Sequence, residues 1–249
     1  MILTPIPRTA LPAALDRFAM GLHDRAAASA FARIRATAPD RAVGAAAEAH
    51  RLAALAFAAG FGVAVHPPGT ECRYNWDGAA LDGSSEAYVI LHEVAHFVLA
   101  PAERRTRVDF GLGPGPDTRD RETARRAAIL SLLEREEDEA LASLLGILWE
   151  VELGQPALAS FLDQNWLEGL DRSAAPHFTA VLAGLARRGL VDARARPVIP
   201  PAARRPARSD RGTADRDRRG DRASAAGRGC LPDPAEGGRG PAGPRRRSG

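Results

Sequence analysis

The 249-residue chain contains no lysine: all 34 basic residues are arginine, so its formal charge of +3 means little until it is located along the sequence. Only two cysteines occur, Cys72 and Cys230. Two isolated thiols make neither a disulfide framework nor a paired-cysteine metal motif, and they suit a reducing cytoplasm. No run of 18 apolar residues is present, and residues 1–22 lack a basic start followed by a continuous apolar stretch. Nothing therefore addresses the protein to a membrane, and a cytoplasmic location is expected. Aromatic residues amount to 5% and stop at Phe178, so nothing beyond that point offers a ring to a core or to a nucleobase.

The arginines are unevenly placed. Residues 204–249 hold 13 Arg against 6 acids, which leaves 21 against 25 in residues 1–203. The body is acidic and the basicity belongs to the tail. That tail is rich in Gly, Pro, Ser and Ala and has too little apolar area to offset its ordering entropy, so disorder is expected. An arginine-rich tail can make weak electrostatic contact with RNA or acidic surfaces, although no ring is interleaved for base stacking. The body, by contrast, shares in an overall composition of 45% apolar and 26% charged residues, enough to bury a core. The expected organisation is one domain over residues 1–200 and a tail over 201–249.

Periodicity and breakers predict helices over residues 14–37, 41–59, 86–100, 157–166 and 174–189. A longer one carries Leu130, Leu133, Leu141, Leu144, Leu148 and Val151 on one face, with Ser131 and Glu134 spaced as a capping box. Val63-Ala64-Val65, stopped by Pro67-Pro68-Gly69, reads as a short strand. Residues 70–85 read as a loop whose Tyr74 and Trp76 could wall a pocket, and 107–117 as an ordered turn, since five Gly and Pro follow Phe110. The expected fold is α+β, mostly helical with a small β-sheet.

His92-Glu93-Val94-Ala95-His96 is an HExxH motif inside a predicted helix. Residues four apart lie on one helical face, so both imidazoles can reach one ion, and Glu93 falls beside the open coordination position. A third ligand is needed. The acidic cluster Glu134, Glu136, Glu137, Asp138, Glu139 lies on the next long helix, and a carboxylate from it would complete a two-His, one-carboxylate site. Glu139 is the preferred ligand and Glu136 the runner-up. Arg104, Arg105 and Asp109 follow the motif closely enough to border the same site, as substrate contacts or as partners of the ligands.

Leu91-HEVAH-Phe97, Ala102-Glu103-Arg104-Arg105, Val108-Asp109-Phe110-Gly111 and Pro116-Asp117 resemble the elongation factor P hydroxylase family of bacteria. The likeness continues through Glu136 and Glu139 to Asn165-Trp166-Leu167-Glu168-Gly169 and covers roughly residues 70–190. It implies a monooxygenase that uses Fe(II) and dioxygen to hydroxylate the modified lysine of elongation factor P, with His92, His96 and Glu139 as ligands. It also implies a backbone layout similar to zinc metallopeptidases. The chain departs from the family at Leu112-Gly113-Pro114-Gly115, where an aromatic-rich stretch is usual, and at Thr118, where Gly is usual.

Two other readings stay open on the residues alone. In a zinc metallopeptidase the same ligands would hold Zn²⁺, Glu93 would be the general base, and a peptide would lie along the edge of the 63–65 strand. In a metal-stabilised RNA- or ribosome-binding module the arginine-rich tail would make the contact.

Overall fold

Helix ends in this protein are set by a few side chains. The stretch expected as one helix over 14–37 is two, α1 (Leu11–Met20) and α2 (Arg25–Arg35). Gly21 closes the first where an added Cβ would lie 2.8 Å from that of Ala175, and the Asp24 carboxylate opens the second by accepting the Ala27 N–H at 2.8 Å. Then come α3 (Gly44–Gly60), α4 (Ala87–Leu99), α5 (Ala102–Arg105) and α6 (Arg121–Ala127). The longest helix, α7 (Leu132–Leu153), begins at the expected capping box of Ser131 and Glu134 and ends at Gly154 in the left-handed region. Short α8 (Ala157–Asp163) and α9 (Ala174–Arg187) complete the order. This computed structural model describes residues 6–67, 69–167 and 174–204. The chain divides into two units, Met1–Pro206 and Ala207–Gly249. Of the tail expected as disordered over 201–249, Pro201–Ala203 instead form a 3-10 turn with Ala203 buried against Gly60, and the residues beyond 204 lie outside the described residues.

The expected β-sheet is absent among the described residues, and the fold is helical rather than α+β. The 63–65 segment makes one isolated parallel bridge, Val65 to Leu81, and Trp76 meets Leu81 in another. Two backbone bonds, His66 N–H to Leu81 O and Leu81 N–H to Ala64 O, carry the first bridge, and Asp82 N–H to Asn75 O and Asp77 N–H to Ala80 O flank the second. Pro67 has no N–H with which to extend a ladder.

Helix α4 lies between α3 and α7, and α8 and α9 also pack on α7. Gly146 lets α7 approach closely: a Cβ there would meet the His92 backbone N at 3.4 Å. Phe18, Phe31, Phe161 and Phe178 form one ring cluster, and Phe57, Phe61 and Trp149 another. The apolar stripe expected along α7 holds from Leu141 onward, where Leu144, Leu145 and Leu148 are fully buried. It fails at Leu133, which is 76% exposed because the first turns of α7 project past the core.

One carboxyl is buried in that core. Both oxygens of Glu150, at 2.6 and 2.7 Å, meet the single hydroxyl of Ser160, which also accepts from Arg41 Nη1 at 2.8 Å. A hydroxyl has one proton to donate, so this arrangement is complete when Glu150 is itself protonated and donates back. Burial pushes its pKa up to about 7, against the opposing pull of Ser160 and Arg41. A carboxyl whose pKa rises on folding contributes stability below its unfolded value and loses it as pH rises through the folded one. We expect stability to fall from about pH 4.5 to above pH 7 by roughly 2–4 kcal/mol through this group. Thermal denaturation of Glu150→Gln should remove that dependence and raise the melting temperature at pH 8; an unchanged pH profile would exclude it.

Candidate metal centre

The HExxH spacing works as helical geometry requires. His92 and His96 lie one turn apart on α4, with their Nε2 atoms 3.0 Å from each other. Glu139 arrives from α7, its Oε2 3.3 Å from His92 Nε2 and 3.5 Å from His96 Nε2. These three residues offer one ligand atom each within 4.8 Å of one another. Glu136, the runner-up, lines the same cavity but does not join the three.

His96 is held from behind. Asp138 Oδ1 lies 2.8 Å from His96 Nδ1, and Asp138 Oδ2 accepts from Arg104 Nη1 at 2.9 Å. The His96 and Arg104 hydrogen bonds hold the Asp138 carboxyl below its ordinary range even though burial opposes this. An ionised carboxylate only accepts, so Nδ1 carries a proton and Nε2, which faces Glu139 and His92, is the nitrogen left to ligate once a metal displaces its proton. Arg104 is itself buried and anchored by Nε to the Phe110 carbonyl at 3.0 Å. The Phe110 ring stacks on His96 at 5.7 Å and on Trp76 at 5.1 Å. Among the described residues His92 has no such support, since none is a hydrogen-bond partner of its buried Nδ1.

The electrostatics favour a cation at the convergence point. Burial lowers the His96 pKa, but Asp138 and Glu139 outweigh it and raise it to about 10. Glu139 is driven the opposite way, far below the carboxylate range, by the two imidazoles against its burial. Two imidazole nitrogens and one carboxylate oxygen, with the tautomer fixed by a carboxylate, are a donor set that fits a divalent transition metal. Glu93 is buried beside them and takes a 3.4 Å contact from Asn75 Nδ2. Burial raises its pKa, partly offset by both histidines.

The site opens into a cavity of about 710 Å³. Asp109 lines it and owes its place to backbone strain: Asp109 and Phe110 both have positive φ, 45° and 51°. Burial, with the charges of Glu93 and Glu139, pushes Asp109 up to about 6, against Thr118 and His96. Thr118 Oγ1 donates to Asp109 Oδ2 and accepts from Gly115 N–H, both at 2.8 Å. Thr118 stands where glycine is usual in the resembling family, and its side chain ties the turn together.

The other expected site residues sit further back. Trp76 and Phe110 are buried behind His96 rather than walling the cavity. Arg105 donates to the Ala100 carbonyl at 2.9 Å and covers Phe97, so it finishes α4. Tyr74 lines a smaller neighbouring cavity. Asp138, Asn75 and Thr118 escaped the sequence reading; for Asp138 the signal was its place beside Glu139 in the acidic cluster.

Residues 85–133 match the family model described as elongation factor P hydroxylase. The match supports the resemblance read from the sequence. It takes in His92, Glu93, His96, Arg104, Asp109 and Thr118, and it stops short of Asp138 and Glu139. No curated protein and no solved structure is similar to the chain. The similarity to elongation factor P hydroxylases thus covers residues 85–133 of the 249.

Replacing Asp138 by Asn preserves shape and removes the charge that fixes His96. Metal affinity, measured by competition with a chromophoric chelator, should fall roughly 10–100-fold with the fold intact. Unchanged affinity would show that Asp138 does not orient the ligand. His92→Ala, His96→Ala and Glu139→Gln should each abolish tight metal retention.

Proposed function

We propose that the protein is a metal-dependent monooxygenase that hydroxylates the modified lysine of elongation factor P, with His92, His96 and Glu139 holding Fe(II) and dioxygen as co-substrate. One observation carries the reading: two imidazole Nε2 atoms and one carboxylate oxygen converge at an acidic cavity, beside the stretch similar to elongation factor P hydroxylases. Iron held by such a facial set supplies open coordination positions for dioxygen and a redox couple. The chain's own residues do the rest. Asp138 and Arg104 keep His96 Nε2 directed at the site. Glu93 and Asp109 face the cavity, burial raising the pKa of both and that of Asp109 to about 6, which suits Asp109 to hold a proton and pass it to an oxygen at the reacting carbon. Their negative charge when ionised, with Asp117, Glu136 and Glu139, attracts a cationic lysine-derived side chain. Among the described residues no helix is long and apolar enough to cross a membrane, and the proposed substrate is a translation factor, so we place the activity in the cytoplasm.

The zinc peptidase alternative needs a strand edge to align an extended peptide. Among the described residues the 63–65 segment makes only isolated bridges, which leaves that reading without its binding surface. The RNA-binding alternative rests on the tail, outside the described residues.

The test compares intact masses of elongation factor P from cells with and without the gene. Deletion should remove the mass of one oxygen atom, and complementation with His96→Ala should not restore it. In vitro, Fe(II) should support turnover and Zn²⁺ should not. An unchanged mass where the factor is expressed would overturn the assignment.

A further inference from the structure

The beginning of α7 exposes large apolar side chains beside the cavity mouth. Leu132 is 73% exposed, Leu133 76% and Ile129 48%, all within five residues. These are not loose ends of a disordered turn. Ser131 caps the helix through a reciprocal bond with Glu134, and Ile129 N–H donates to the Gly111 carbonyl at 2.9 Å. The two leucines are therefore held out on a well-capped helix whose next two turns supply Glu136, Asp138 and Glu139. Leu132 also lines the cavity, so whatever enters passes over this surface. Exposed clusters of large apolar groups on a rigid element mark interaction surfaces more than they mark accident.

We infer that Ile129, Leu132 and Leu133 form the docking surface for a protein substrate that presents a cationic side chain on a loop with apolar flanks. The inference rests on the hydroxylase reading for the identity of that protein. Charge complementarity argues for this occupant. Among the described residues, the cavity that continues from the patch is lined by the carboxyls of Glu93, Asp109, Asp117, Glu136 and Glu139, with the guanidinium of Arg135 and the imidazoles of His92, His96 and His177. When ionised, these carboxyls outnumber the charges of Arg135 and a divalent metal and draw a positive group inward, while Leu133 and Ile129 outside the cavity can bury only apolar surface. A folded protein supplies both at once; a free amine would leave the leucines in water.

The probe is elongation factor P carrying its lysine modification, titrated into the metal-loaded full chain by calorimetry. Leu133→Ser, a position outside the cavity lining, should weaken binding several-fold, and Leu132→Ser with Leu133→Ser roughly tenfold or more. Metal content and melting temperature of Leu133→Ser should match the wild type. Equal affinities of wild type and double variant, in a protein that does hydroxylate the factor in cells, would overturn the docking surface and leave the function standing. Absence of binding by the wild type, together with an unchanged factor mass in deleted cells, would overturn both. A wild-type dimer that becomes monomeric in the double variant would reassign the patch to contact between copies and overturn the inference.

Discussion

The hydrogen bond from His96 to Asp138 ties together everything that makes this protein a candidate metalloenzyme. His96 is 2% exposed, and a buried imidazole left to itself is neutral and free to present either nitrogen. Asp138 removes that freedom, and Asp138 is in turn a buried anion that would be expensive without Arg104. Arg104 is held by a backbone carbonyl in a turn that only a strained pair of residues can make. Each buried charge is thus tolerated because of the next. The sequence of bonds runs from the α4 face through α7 to the Asp109–Phe110 turn. Breaking it at Asp138 would leave both a mobile ligand and an uncompensated guanidinium.

The strained turn does two jobs through two adjacent residues. Phe110 points inward and stacks on His96, while Asp109 points into the cavity. Both residues lie in the left-handed region, with φ of 45° and 51°, and this turn sets their two directions. Such conformations cost of order 1–3 kcal/mol each and persist only where the surroundings enforce them. Here the enforcement comes from Asp109 N–H bonded to the Trp76 carbonyl, Thr118 bonded to the Asp109 carboxyl, and the Phe110 ring fully buried under Trp76.

How much of this could be read from the sequence follows the range of the interactions. The α4 helix and the spacing of its histidines are local, fixed by i to i+4 periodicity, and were legible. The capping box at Ser131 and the glycine stop at Gly154 are equally local. Glu139 could be preferred over Glu136, but the sequence could not weigh the pairing of α4 with α7, which is a matter of packing. Asp138 was invisible as an orienting group for the same reason: its partners lie 34 and 42 residues away. The β-sheet was overread because an apolar run with two β-branched valines at 63–65 satisfies a strand pattern without revealing that, among the described residues, only Leu81 pairs with it. Trp76 was read as a pocket wall from its place in a glycine-rich loop, where the structure uses it, with Phe110, as the packed backing of His96.

The misplaced leucine is the instructive error. Periodicity put Leu133 on the same face as Leu141 and Leu148, and on an ideal helix that placement is correct. The core, however, ends before the helix does, because α4 reaches only as far as the turns carrying Asp138 and Glu139. A helix that runs on past its core has to justify its apolar residues in another way, since exposed leucines contribute nothing to folding and promote association. The projection has a structural reason: the turns bearing Glu136 to Glu139 must be rigid, and a capped start two turns upstream secures them against fraying. That requirement accounts for the length of α7, and Ser131 and Glu134 meet it with polar groups alone. It does not account for leucine at both 132 and 133, and this remainder, beside an acidic cavity mouth, is what ties the outer surface of the helix to the chemistry within.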